Sequence, residues 1–469
     1  MKKILFLNGG LSIIILSLIL INVSGCGNED TPDPSGTLTA NAGNDTNVIT
    51  GEKVTLNGNG SFDQQGGAFN FSWKFISKPS GSTATLSDQD QAIPSFTTDL
   101  AGKYKVELTI SNSQNNSMDT VTVAAFSVAT IPGTYNNLLP GPDVGVREFE
   151  VLNGQIYVTC EFNEIGGIVY KKIACFNGAS WSALGCGLED GSIFDMVAYQ
   201  NELYVTGQFD QIGCIDAKNI ARWDGFNWKA VDSGIGSGDD EAGYALEVYQ
   251  DELYVGGRFT RAGSLTVNNI AKWNGTQWSN IGSLEDGSVR VLKVYQDRLY
   301  AGGFFTEVPG TNAQFIACFD GSQWSGLGST ENLELGSTGV VRHMAVFQNQ
   351  LFLSGDFEVD NNEFSELVTW DGSKLSDFGR AFSLFSGNEI NALATFKDAL
   401  YIGGSFNQVV GTQASSILRW DGQLWGIMTE GIDGTVLSIQ PFQDRLYVGG
   451  EFDRAGNQVA EHITIWDNP

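Results

Sequence analysis

Positive charge and histidine are what this sequence has least of. Its 469 residues carry 26 lysines and arginines against 54 aspartates and glutamates, a formal charge of −28. A surface that acidic repels phosphate backbones and anionic headgroups, which removes nucleic acid and anionic lipid as partners. The only two histidines, His343 and His462, are 119 positions apart. No Ser-His-Asp set can be picked out around either, and the chain is read as a non-enzyme without a cofactor. The six cysteines include no Cys-x-x-Cys pair, so zinc-binding and dithiol redox readings have no support. Proline is scarce at 10 residues. Glycine is abundant (58 residues), as are Phe (29), Tyr (13) and Trp (11). With no long charged helical stretch, this composition reads as an all-β chain with tight turns.

The first 26 residues carry a location signal. Lys2 and Lys3 precede an apolar run from Ile13 to Val23, closed by Ser24-Gly25-Cys26. A short apolar run behind two lysines, ended by small residues, reads as a cleaved leader and not a spanning helix. The ending resembles the lipobox of bacterial lipoproteins. That resemblance implies acylation of Cys26 and, because Gly27 and not Asp follows, an outer-membrane lipoprotein that faces either the periplasm or the outside. Residues 27–37 are polar and proline-containing, as a tether should be. Five cysteines remain beyond Cys26, an odd number that cannot all pair internally.

Residues 38–128 alternate in short apolar runs, among them Phe69-Asn70-Phe71-Ser72-Trp73 and Tyr104-Lys105-Val106-Glu107-Leu108. Period-2 strands separated by Gly, Asn and Ser turns read as a β-sandwich. Ala40-Asn41-Ala42-Gly43, Asn59-Gly60-Ser61-Phe62-Asp63, Lys78-Pro79-Ser80-Gly81-Ser82 and Ala101-Gly102-Lys103-Tyr104 resemble a PKD domain. The resemblance implies an immunoglobulin-like spacer or adhesion module, with Trp73 in its core.

Residues 133–469 repeat. An aromatic residue ahead of a small or Gly-Gly stretch recurs at Tyr157, Tyr204, Tyr254, Tyr300, Phe352, Tyr401 and Tyr447, 46 to 52 residues apart. That period matches propeller blades. In the third copy the four strands are A (245–249), B (253–259), C (270–274) and D (277–282), with short turns such as Gln250-Asp251 and Asn274-Gly275. The seventh copy stops after strand C, and residues of about 133–139 supply its missing strand D. Such closure removes an exposed sheet edge. The expected fold is an immunoglobulin-like β-sandwich followed by a seven-bladed β-propeller closed by that N-terminal strand. The repeats resemble kelch and galactose-oxidase-like propellers in blade pattern, but not in any enzyme's active-site motif. Copper of the galactose-oxidase type would need two His with tyrosines, one bonded to Cys, whereas His343 and His462 occupy non-equivalent positions and no Cys-Tyr pairing can be picked out of the sequence.

The ten propeller tryptophans sit at one repeated position in strand C or D, which reads as packing and not as a sugar platform. The B–C and D–A loops vary in length and share one face, where function concentrates on such scaffolds. One position at the entrance to strand A reads Arg147, Phe194, Tyr244, Arg290, Arg342, Asn391 and Leu437, and His343 follows Arg342. Arginine suits bidentate carboxylate recognition. Arg147, Tyr244, Arg290, Arg342 and His343 are therefore the candidate ligand-binding residues at the channel mouth. The competing reading pairs each arginine with a local acid such as Glu148 or Asp286.

Two further sets complete the candidates. Cys186 and Cys214 fall in adjacent loops on one face and form a candidate disulfide. Cys175 and Cys318 occupy the strand-C slot of Arg222 and Lys272, which reads as exposure-tolerant, and Cys160 falls across the hairpin from Cys175. The loop holding Asp239, Asp240 and Glu241 offers oxygen ligands for Ca²⁺, but it lacks the spaced Asp-x-Asp-x-Asp-Gly pattern, and a solvated loop is the stronger reading. The function expected from all this is a membrane-anchored binding or adhesion protein that presents its loop face to a glycan or protein ligand. The alternatives are a polysaccharide-acting enzyme or a structural subunit of a surface complex.

Overall fold

The computed structural model describes residues 38–327, 333–334, 339–359, 363–378, 389–409 and 412–467. The expected leader, the acylation candidate Cys26 and the expected tether lie outside the described residues. Every described element is a β-strand. Among the described residues no helix is long and apolar enough to cross a membrane.

The N-terminal domain is a sandwich whose main sheet contains Asn70–Ser77, Gly102–Ser111 and Asn116–Ile131 in antiparallel order, with Thr46–Ile49 added parallel to the last. Its core holds Trp73, Phe96, Tyr104, Val106, Leu108 and Val123. The buried Trp73 indole donates from Nε1 to the Gln91 carbonyl at 3.0 Å, so its one polar atom is satisfied.

The repeats form a propeller. Six of them make sheets of their own, with strands in A-B-C-D order. In the second repeat these are Ser192–Tyr199, Glu202–Gln208, Ile220–Trp223 and Trp228–Ala230. The expected seven-bladed propeller is thus corrected to six blades. The four strands of the remaining repeat, Ile390–Phe396, Ala399–Gly404, Ile417–Trp420 and Leu424–Met428, belong to an eight-stranded sheet shared with the sandwich. Its outer strand Leu424–Met428 pairs in parallel with Ser127–Ile131 of the long sandwich strand. Val121, Val123 and Ala125 face the sandwich core, whereas Phe126, Val128 and Ile131 pack against propeller cores, so one strand serves both domains and the domain boundary expected after residue 128 falls inside a paired strand.

The innermost strands close a circle. Strand A of each repeat packs beside strand A of the next, and the seventh, Thr435–Phe442, returns to the first, Glu148–Leu152. Thr134–Asn137 pairs antiparallel with Ile463–Asp467 at the outer edge of the last sheet, Tyr135 opposite Trp466.

Local chemistry explains the repeated words. Six of the seven A–B turns hold two successive residues at positive φ, such as Gln250 (50°) and Asp251 (59°), as a type I′ hairpin requires. The paired glycines ending strand B make room in two directions. A Cβ on Gly256 would sit 2.4 Å from Val289 of the next repeat, and one on Gly257 2.2 Å from the Ala242 carbonyl oxygen. Strand C and D tryptophans stack across their hairpins, with Trp223–Trp228, Trp273–Trp278 and Trp420–Trp425 centroids 5.4, 5.1 and 4.7 Å apart. Trp228 also donates from Nε1 to the Leu184 carbonyl of the preceding repeat at 2.8 Å.

The sandwich approaches from the tight-turn side. Ser127 lies opposite Leu424, beside the Asp421-Gly422 turn, and Ile131 lies opposite Met428, toward the loop end. The described chain begins at the other end of the same strand, where Ala40 donates from its backbone N to Ser117 Oγ at 3.1 Å. At about 3.3 Å per residue, the segment from Ser117 to Ser127 is a strut of roughly 33 Å.

Candidate functional site

The seven entrance positions converge. Arg147, Phe194, Tyr244, Arg290, Arg342, Asn391 and Leu437 all line one cavity of about 870 Å³ at the loop-side mouth of the central channel, together with His343. The cause is a repeated β-bulge. Strand A loses register with strand B between Ile193 and Asp195, Gly243 and Ala245, Val289 and Val291, Val341 and His343, Ile390 and Ala392, and Val436 and Ser438. The residue skipped in each case is the entrance residue. A bulge re-aims the side chain of its extra residue, and here it directs six of them at the mouth. The first strand A has no bulge and begins just after Arg147, whose backbone N donates to the Thr159 carbonyl at 2.9 Å.

The arginines differ in their engagement. Arg342 makes two hydrogen bonds to Asp356, Nη1 to Oδ1 at 2.8 Å and Nη2 to Oδ2 at 2.7 Å. It is held by a local acid, although that acid is neither Glu148 nor Asp286. Arg290 stacks its guanidinium 4.1 Å from the centroid of Tyr244, and its Nε donates to Ser288 Oγ at 3.1 Å. Tyr244 in turn packs against Phe194 with centroids 5.4 Å apart. Among the described residues neither Arg147 nor Arg290 has an ion pair with a carboxylate, and both are exposed. Burial, with Arg342 beside it, pushes the His343 imidazole down to about 4, so it is neutral at pH 7.

Sequence reasoning missed the layer below. Glu148, Glu150, Asp195, Glu247 and Lys293 line the channel beneath the mouth. Removal from water pushes the Glu150 carboxyl up to about 8 and Asp195 up to about 7, and raises Glu148 and Glu247 as well. Backbone N–H groups of Met196 and Leu246 donate to Asp195 at 2.7 and 2.6 Å and oppose its rise. Lys293 approaches Glu247 at 3.2 Å. The mouth also gains Phe304, Asp356 and Glu451 from the ends of strands B. Acids are so common in this chain that only their register on the channel-facing side of strand A distinguishes these.

The loop face is tied together around the ring. D–A loops bridge to the B–C hairpins of the next repeat at Pro142 and Ile165, Ile235 and Ala262, Glu285 and Glu307, and Ile432 and Ala455. Cys186 and Cys214 are joined in a disulfide with Cα atoms 6.0 Å apart, beside a Gly213 N to Gly187 O hydrogen bond of 2.7 Å. Glu241 acts as a clasp in the loop that offers oxygen ligands for Ca²⁺. Its carboxylate accepts from the backbone N of Ser237, from Gly238 N at 2.6 Å, and from Thr260 N and Oγ1 at 2.7 and 2.6 Å. Those donors outweigh its partial burial and hold it down at about 2. The Asp239 carbonyl accepts from Gln208 Nε2 at 2.6 Å. Among the described residues no group of three His, Cys, Asp or Glu is arranged to hold a metal ion.

The free cysteines need correction. Cys175 and Cys318 are buried, not exposed. Their slot faces Tyr157 and Tyr300 on strand B, where a short thiol is covered. The longer Arg222 at the same slot reaches out to Glu202 at 2.6 Å instead. Cys160 does not face Cys175, because Tyr157 does; its backbone N donates to the Lys172 carbonyl.

Comparison with known proteins bears on the sandwich most directly. Residues 42–125 match a family model that describes a PKD domain. Among curated proteins there is no match. A nucleoside hydrolase-related hypothetical protein from Saccharophagus degradans is 26% identical over 17% of this chain, with a TM-score of 0.16, and the chain spans only 21% of that protein. The PKD domain from human KIAA0319 is 19% identical over 24% of this chain and 99% of its own, with a TM-score of 0.19. The β-propeller domain of the Trilobed protease from Pyrococcus furiosus is 11% identical over 82% of this chain and 96% of its own, with a TM-score of 0.36.

Proposed function

We propose that this chain is an extracytoplasmic binding protein, acylated at Cys26 and held at the outer membrane, whose propeller presents its loop-face mouth to an external glycan or protein. The observation that carries the proposal is the convergence of seven entrance residues on one cavity, with Arg147 and Arg290 exposed and without an ion pair among the described residues. The cavity volume suits a small ligand or the end of a larger one. The strand shared by both domains supports the orientation. The sandwich joins at the tight-turn side, so a tether at its far end turns the mouth away from the membrane and holds it off by the length of the strut. No nucleic acid enters this picture, because the acidic surface opposes it.

The test is a binding and turnover screen of the full chain in detergent against cell-envelope polysaccharides and proteins. Saturable binding without product, weakened when Arg147 and Arg290 are both changed to Ala, supports the reading. Product formation would replace it with the alternative, a polysaccharide-acting enzyme. That alternative draws on Glu148, a carboxyl that lines both cavities and whose pKa burial raises, the direction a general acid needs.

A further inference from the structure

The mouth is not evenly furnished. Reading round four consecutive repeats, its entrance residues are Arg147, Phe194, Tyr244 and Arg290, all on one wall of the cavity. Phe194 and Tyr244 are packed ring to ring at 5.4 Å, and Arg290 covers Tyr244 at 4.1 Å. Tyr244 is thus held between Phe194 and Arg290, which leaves the Phe194 ring as the apolar surface of this wall, with Arg290 two repeats on and Arg147 one repeat back. The opposite wall is different: Arg342 is committed to Asp356, and Asn391 and Leu437 follow. Glu148 and Glu451 are also in the lining, and their carboxyl oxygens can accept hydrogen bonds.

Three chemical demands follow. An aromatic platform takes an apolar face, and the C–H face of a pyranose ring provides one. Two planar guanidiniums on either side take carboxylates by paired N–H···O bonds. Acceptors such as Glu148 and Glu451 take hydroxyl donors. A sugar chain that carries a carboxylate on successive rings meets all three. A peptide C-terminus offers a single carboxylate and no array of hydroxyls. Neutral glycans leave both guanidiniums desolvated without a partner, which costs affinity. The overall negative charge of the chain acts as a filter, since an anion is retained only where this local pair outweighs the general repulsion.

We infer that the mouth is a subsite for an acidic oligosaccharide of the uronic-acid class, with a pyranose face on Phe194 and sugar carboxylates on Arg147 and Arg290. The inference rests on the reading of the mouth as the binding site and names its ligand.

The experiment is calorimetric titration of the full chain in detergent with four probes: a uronic-acid trisaccharide, its methyl ester, a neutral glucose trisaccharide and a tripeptide with a free C-terminus. The acidic trisaccharide binds saturably, while the ester and the neutral sugar bind at least tenfold more weakly. Arg290→Ala and Arg147→Ala each weaken binding roughly tenfold to hundredfold, the effect of losing one charge-assisted contact. Arg290→Lys falls between, because it keeps the charge and loses the plane. Arg445→Ala, at the tight-turn end beside Asp467, leaves binding unchanged. Unfolding midpoints of all variants separate lost binding from lost folding. Equal binding of acid and ester overturns the carboxylate assignment. Arginine-dependent binding of the peptide without the sugar overturns the sugar class and leaves the mouth as a binding site. Failure of every probe overturns this inference. The mouth reading itself falls only if envelope binding in the broader screen is also indifferent to the arginine substitutions.

Discussion

Raising the pH from 6.5 to 8.5 should destabilise the propeller, and Glu150 is the residue that makes the effect measurable. Unfolded, its carboxyl titrates near 4.5, and in the channel it titrates at about 8. Below 4.5 both states hold the proton and the stability is intact. Between 4.5 and 8 the unfolded chain releases a proton that the folded chain keeps, so stability falls as pH rises, and above 8 it levels off. Over the chosen window this one group removes about 2 kcal/mol. Asp195, raised to about 7, adds to the fall. The groups that act the other way lie outside the window. His343, depressed to about 4, strengthens the fold as pH rises only up to the ordinary histidine value of 6.5. Asp224, Asp320 and Glu241, each held at about 2, act in the acid range. The assay is urea unfolding followed by tryptophan fluorescence at the two pH values. Wild type should lose stability over the window, and Glu150→Gln should lose about 2 kcal/mol less. An equal loss in both proteins, at unchanged dependence on urea, would refute the argument that the channel withholds water from this carboxylate.

Three other outcomes follow from the packing. Replacing Cys186 and Cys214 by Ser should lower stability by about 3 to 4 kcal/mol, the loop-closure value for a 28-residue separation, measured by the same urea unfolding under non-reducing conditions. Gly213→Ala should cost more than about 2 kcal/mol, because φ is +60° and the new Cβ would sit 2.0 Å from Trp228 Cδ1; an unchanged thermal midpoint would contradict the geometry. In hydrogen exchange, the amides of Ser127–Ile131 should be protected as strongly as those of Leu424–Met428, since the two segments form one ladder; rapid exchange in the first would mean that the domains are joined by a loose linker.

The degree to which the sequence foretold these features depends on how local each signal is. Type I′ turns such as Gln250-Asp251 and the Trp223–Trp228 hairpin are written in adjacent residues, and the all-β character follows from them. The entrance register was readable because it repeats, even though the bulges that aim it left no mark except the glycines that accommodate them. The pairing of Ser127–Ile131 with Leu424–Met428 was not readable. It joins segments nearly 300 residues apart, in parallel, with no turn to announce it. The burial of Cys175 and Cys318 was missed because it depends on Tyr157 and Tyr300 from a different strand, whereas the sequence shows only that Arg and Lys fill the same slot elsewhere. The channel carboxylates were hidden by number. Glu148-Phe149-Glu150 shows the alternation of a half-buried strand, and nothing in it says that its polar side faces a channel and not open water.

The most direct test of the mouth as the binding site is to map arginine reactivity toward phenylglyoxal by mass spectrometry, with and without the uronic-acid trisaccharide. Arg147 and Arg290 should react when the protein is free and be protected when the sugar is present. Arg342 should react poorly in both states because Asp356 holds its fork, and Arg445 should be indifferent to the sugar. Equal modification of Arg147 and Arg290 at a sugar concentration that saturates the protein would place the ligand elsewhere and contradict the account.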